Sequence, residues 1–326
     1  MGSRTQEVES TRGPDVACVA EIREGESLLS THFVFWLWFA GLTFLIAGLV
    51  AVRKELVTAR GLDKLIALGP VFVAAPLAVF GAEHFVDARD IMQLVPVWMP
   101  VRLFWTYFVG CSWIAAATSL VSMKYVRLSA TLVGVAFFLF VLMMDLPGAI
   151  SEPGNRLGWI LALRQSAFAG GAWALAGSLS PRSQTEKRIW KIADWMIADW
   201  MILFGRFAVA IAVIVFGVDQ LLHPEFAPGV PDSKLTPAYV PLHAFWGYPV
   251  GAVLLVAGAA LLLNKRPRTS AVCVGVLMTL LTVCLYLPIL AVTRDPSQMT
   301  EAINFVFDTL LFGGTALLVA RAMPAE

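Results

Sequence analysis

Residues able to hold or pass a proton collect near the ends of apolar runs in this 326-residue chain: Glu83, His84, Asp145, Asp219, His223 and His243. A carboxylate beside a histidine can relay protons to a bound quinone or another small polar molecule. Two further charges, Arg164 and Asp308, stand inside apolar runs, about seven residues from the nearer end. At 1.5 Å per residue that is roughly 10 Å below the surface. Ionisable groups at such depth are costly and face protein or water rather than lipid. Each of the two is therefore expected to face the bundle interior with a polar partner, and each is a candidate for the other's partner. No HxxxH, CxxC or HExxH spacing occurs, so no metal site is expected. The four histidines sit at span borders, which also argues against an intrinsic haem.

The elements that must position these groups follow from composition. The chain is 58% hydrophobic and 14% charged, with mean hydropathy +0.75 and net charge +1. Soluble domains carry about 25% charge, and a balanced charge gives no footprint for nucleic acid. An all-α polytopic membrane protein is expected, embedded in the lipid bilayer of the cell membrane. Nine candidate spans can be read, beginning near Phe33, Leu65, Leu103, Leu128, Leu157, Trp200, Tyr239, Thr269 and Ala302. Residues 1–30 read as a polar extracytoplasmic tail and 31–60 as an extra helix. Residues 181–199, basic and aromatic and holding part of an ADWMI-ADWMI duplication, read as an amphipathic interfacial linker.

The rest of the chain repeats. VPVWMPVRLFWTYFVG at 95–110 matches TPAYVPLHAFWGYPVG at 236–251, and Phe80-Gly81 precedes one copy as Phe216-Gly217 precedes the other. Leu146-Pro147 and Gly170-Gly171 find counterparts in Leu287-Pro288 and Gly313-Gly314. The units are residues 62–180 and 200–322, each a four-helix bundle. Four is an even number of crossings, so the copies form a parallel repeat about an axis along the membrane normal. Lysine and arginine concentrate in the loops after the first, third, fifth and seventh helices, for instance Arg53, Lys54, Arg182 and Arg266. The positive-inside rule then puts the C-terminus in the cytoplasm and the N-terminus outside.

Each copy ends its first helix with an acid (Glu83, Asp219) and re-enters with FWxY after two prolines. Trp105, Tyr107, Trp246 and Tyr248 are thus candidate aromatic walls of an outward pocket floored by Glu83, His84, Asp145, Asp219 and His243. Copy one is the favoured site, because it alone holds an acid–histidine pair and Asp145.

Gly81-Ala82-Glu83-His84-Phe85, Pro96 and Pro100, the aromatic second helix and the GG fourth helix make the chain resemble the DoxX/DoxD-like family of four-helix membrane proteins. The resemblance covers about residues 62–322, as a tandem. It implies a membrane subunit, in some members part of a thiosulfate:quinone oxidoreductase, with quinone as ligand and a redox protein as partner. The alternatives are a small-molecule or lipid binder or transporter, and a non-catalytic scaffold.

Overall fold

The computed structural model describes residues 16–179, 188–231 and 234–325. Among them the structure is helical, with one isolated antiparallel bridge, Phe226 to Leu235, and no strand. Among the described residues eight segments are long and apolar enough to cross a membrane. The chain is a multi-pass, all-helical membrane protein.

Helix α1 (Val16–Thr58) is the extra element. It is longer than the span it contains, so residues 16–30 extend the helix instead of trailing as a tail; once a helix is nucleated, each added residue is cheap. Residues 1–15 lie outside the described part. Helices α2 (Leu62–Ile66) and α3 (Gly69–Val86) make one crossing broken before Pro70, while Pro76 sits within α3. Next come a short α4 (Ala88–Leu94), α5 (Arg102–Ser122), α6 (Val126–Phe140), α7 (Leu146–Ser151) and α8 (Arg156–Ser178). Helix α9 (Arg188–Leu222) runs unbroken for 35 residues. The linker expected over 181–199 is therefore, from Arg188 onward, the first turns of α9, and residues 180–187 lie outside the described part. The set closes with α10 (Gly247–Leu262), α11 (Pro267–Leu281), α12 (Leu287–Val292) and α13 (Pro296–Ala322).

Of the nine expected spans, the one in α8 is absent from the eight. It has 23 residues, length enough to cross. Arg164, Gln165 and its glycines dilute its hydropathy, and α8 can tolerate them because most of its residues are buried against other helices.

Backbone irregularities recur at one offset. The left-handed residues Val101, Met123 and Tyr125 (φ 51°, 56° and 56°) reappear as Leu242, Asn264 and Arg266 (φ 52°, 55° and 46°). A π-helical turn at Val141–Asp145 reappears at Thr282–Tyr286. Trp105 Nε1 donates to the Pro100 carbonyl at 3.1 Å, and Trp246 Nε1 to that of Pro241 at 3.0 Å. Close backbone approach also recurs between the two sets. A Cβ on Gly81 would stand 3.1 Å from the Gly110 carbonyl oxygen, and one on Gly217 would stand 2.8 Å from that of Gly251. Glycine at these crossings lets the first two helices of each set touch backbone to backbone.

The crossings alternate up and down, each packed on the next from α3 to α13, and α13 returns onto α3. The two sets of four are not separate bundles. Helix α3 packs on α13 of the second set, α8 packs on α9, and one hydrophobic core takes in both sets. Across the middle, α8 meets α13 through Arg164–Asp308, Phe168–Phe312 and Gly171–Thr315. Each pair is separated by the same sequence interval, so α8 and α13 run parallel, side by side.

Candidate functional site: a polar crevice above an aromatic floor

Up-and-down alternation brings the C-terminal ends of α3 and α9, the starts of α5, α8, α10 and α13, and both π-turns to one end of the molecule. Most of the chemically interesting side chains lie toward that end, but they do not form a single pocket.

Glu83 is buried and accepts a hydrogen bond from Asn304 Nδ2 at 3.0 Å. Asn304 lies four residues before Asp308, hence on the same face of α13. Asp308 accepts from Arg164 at 2.8 Å and lies close enough to Glu83 for their charges to interact. Asp145 in turn interacts electrostatically with Arg164. Glu83, Asn304, Asp308, Arg164 and Asp145 thus form one chain of polar groups drawn from α3, α13, α8 and the first π-turn. A π-turn inserts an extra residue into a helix and redirects the side chains around it. Here it carries Asp145 as its last residue.

Two properties distinguish this chain from a closed structural ion pair. First, it holds buried polar atoms without a hydrogen-bond partner in the protein: Asp145 Oδ2, Arg164 Nε, Asn304 Oδ1 and, next along α8, Gln165 Oε1. Buried polar groups are nearly always paired. Second, the Arg164 and Asp308 side chains remain 18% and 19% exposed although both stand well inside the bundle. A crevice therefore reaches them.

The crevice is blind. One helical turn below the ion pair, Phe168 meets Phe312 at 6.0 Å between ring centroids. Phe312 meets Phe216 at 5.3 Å, Phe168 meets Phe137 at 5.3 Å, and Phe137 stacks on Trp113 at 4.7 Å. These five rings, all buried, form a floor running through α5, α6, α8, α13 and α9.

The other sequence candidates sit elsewhere. Glu83 and His84 do not act as a pair. Consecutive helical residues point about 100° apart, and His84 Nδ1 lies 2.6 Å from its own helix's Phe80 carbonyl. Asp219 accepts two hydrogen bonds from Arg156, at 2.8 and 3.0 Å, and Arg156 also covers the Phe226 ring at 4.6 Å. That acid is consumed in a tie between α9 and α8. His243 is exposed in a short 3-10 turn, His243–Trp246. The aromatic residues are not walls of the crevice. Tyr107, Trp246 and Tyr248 are well exposed, Tyr107 stacks on Phe85, and both tryptophan donors are spent on the proline loops. They fit an interfacial belt.

Among the described residues the second set shows no equivalent crevice. Tyr286, where the first set has Asp145, is fully buried and donates to the Pro228 carbonyl at 3.1 Å. Gln220 and Thr236 both hydrogen-bond to the Phe226 carbonyl, folding the loop after α9 into the bundle. At the opposite end of the molecule lies an open, largely apolar depression of about 650 Å³ lined by Met123, Tyr125, Val126, Arg127, Leu128, Thr131 and Leu179. It holds none of the candidate residues.

Asn304 and Gln165 were missed in the sequence. A lone amide in an apolar run matches no motif; the available signal was Asn304 standing one turn before Asp308. No protein-family model matches this chain, and neither the curated proteins nor the solved structures searched give a match.

Proposed function

We propose that this membrane protein binds a small molecule by its polar head in the crevice between Glu83, Asn304, Asp308, Arg164 and Asp145. The observation that carries the reading is the partly exposed Arg164–Asp308 pair, backed by buried partnerless atoms on Asp145, Arg164 and Asn304 and underlain by aromatic rings. Such a site binds and releases on one face; the aromatic floor argues against conduction through this conformation. Carboxylates in it can exchange protons with a bound head.

The resemblance to DoxX/DoxD-like proteins makes a quinone head the first ligand to test, with the chain as a quinone-linked membrane subunit of an oxidoreductase. A small-molecule or lipid binder without redox chemistry is the second reading, and the blind crevice favours it equally. On both readings the chain is a duplicated four-helix unit. The loop charges support a cell-membrane orientation with the N-terminus outside, the C-terminus in the cytoplasm and the crevice opening outward.

The test is native mass spectrometry of the detergent-purified protein, followed by thermal titration with a short-chain benzoquinone. A bound small molecule, and a shift that Asp145→Asn and Asn304→Leu each abolish, are expected. A bound molecule or shift indifferent to both substitutions moves the site elsewhere.

A further inference from the structure

We propose that the apolar depression at the end opposite the crevice seats one phospholipid of net negative charge, with its tail in the depression and its phosphate among the basic residues at the rim. The depression measures about 650 Å³, within the range of roughly 300–1,000 Å³ that ligand sites occupy. Met123, Val126, Leu128 and Leu179 make its lining apolar, and among the described residues that line it Arg127 alone is charged. Comparison of the two helix sets explains why it is there. It lies between the start of α6 and the end of α8. Their counterparts, the start of α11 and the end of α13, are both packed by α2. There Arg268, which matches Arg127, pairs with Asp63 of α2, and Val272, which matches Thr131, is buried. Helix α2 is a separate element because its crossing breaks before Pro70. The matching crossing of the second set has Arg206 at that position and runs unbroken as α9. One set thus closes this place with protein, and the other leaves an apolar surface at the end of a membrane crossing, where a lipid tail supplies the missing contacts.

Charge selects the headgroup. Lys124 stands in the tight turn between α5 and α6, flanked by the left-handed Met123 and Tyr125, and Arg127 follows on the first turn of α6. The chain that continues from Leu179 reads SPRSQTEKRIWK, four basic residues to one acid over 180–191. Basic residues clustered beside the end of a span draw anionic lipid, each lysine or arginine near the surface raising affinity about fivefold. Tyr125, exposed at the rim, adds a phenol that can donate to a phosphate oxygen. The matching turn of the second set is as basic, with Lys265 and Arg266, but α2 occupies the place beside it. Charge is therefore common to both turns, and the seat for a tail belongs to the first.

The test is native mass spectrometry of the full chain in mild detergent, with phosphatidylglycerol and phosphatidylcholine of the same acyl chains in competition. The first lipid bound is expected to be phosphatidylglycerol, by about tenfold. Arg127→Gln should cut that preference about fivefold and Arg127→Lys should keep it. Leu128→Trp, at an exposed position where a larger side chain can cover the depression without disturbing the core, should abolish the first binding step. Arg266→Gln, at the matching turn of the second set, should change nothing. Circular dichroism checks that each variant keeps its helices. Equal binding of the two lipids overturns the proposal, and so does an equal loss in Arg127→Gln and Arg266→Gln, which would make the preference a property of the whole basic surface. Competition by glycerol 3-phosphate as strong as that by phosphatidylglycerol overturns it in favour of a free anion. Binding indifferent to Leu128→Trp overturns it in favour of another occupant of the depression, residues 180–187 included.

Discussion

Removing either partner of the Arg164–Asp308 pair should not cost the same. With charge centres about 4 Å apart and an effective dielectric near 20, the pair attracts by about 4 kcal/mol. Residual exposure of 18% and 19% screens part of that. The neighbours set the asymmetry. In Asp308→Asn, Arg164 keeps Asp145 within electrostatic reach, and Asp308's repulsion with Glu83 is removed at the same time. In Arg164→Gln, three carboxylates face one another without a cation. We expect losses of about 1–2 kcal/mol for Asp308→Asn and about 3–4 kcal/mol for Arg164→Gln. The double variant should be more stable than Arg164→Gln alone, since it deletes one of the stranded charges. Equilibrium unfolding in mixed micelles, read by tryptophan fluorescence and helical circular dichroism, measures all three. Equal losses, or a larger loss for Asp308→Asn, would refute the charge arrangement described here.

Three further outcomes are expected. Gly217→Ala puts a methyl 2.8 Å from the Gly251 carbonyl oxygen, so α9 and α10 must part by roughly half an ångström, at about 1–3 kcal/mol in the same unfolding assay. Tyr286→Phe loses the bond to Pro228 and should cost about 1 kcal/mol, with faster proteolysis in the loop after α9 and no change at Asp145. Asp87, at the α3–α4 junction, has its carboxyl pushed from 3.8 up to about 6, first by burial and then by the Asp90 charge beside it. A carboxyl raised on folding contributes fully below about pH 4, and its contribution is lost as pH climbs through about 6. Hydrogen exchange across Ala88–Leu94, corrected for intrinsic rate, should therefore quicken between about pH 4 and about pH 6 and level off above, and Asp87→Asn should flatten the change.

Hydropathy made most crossings readable, because a long apolar run in lipid has few alternatives to a helix. It undervalued α8, since four glycines dilute its hydropathy and a helix shielded by other helices can afford Arg164 and Gln165 where a lipid-facing one cannot. Prolines and paired aromatics exposed the internal repetition, for they fix the same backbone turn in both places, as Val101 and Leu242 do. Which side chains would meet was less legible. Glu83 and His84 are neighbours in sequence, but helical geometry turns them apart. Asp219 and Glu83 match by position, yet one meets an arginine and the other an amide, and nothing local to either residue specifies that partner. The crevice is drawn from α3, the first π-turn, α8 and α13, and its members converge only through packing between the two sets of helices.

The return of α13 onto α3 has a consequence for how the protein is made. Helix α3 leaves the ribosome roughly 200 residues before the helix that covers it. At about 5–20 residues per second, α3 waits on the order of 10–40 s in the membrane with Glu83 lacking Asn304 and α8 with Arg164 lacking Asp308. During that interval helices α1 to α8 are an unfinished surface carrying an uncovered acid and an uncovered arginine. Insertion factors and quality-control proteases that recognise polar groups in lipid would find their target there, and a chain truncated before α13 should be degraded rather than persist as a half-sized protein.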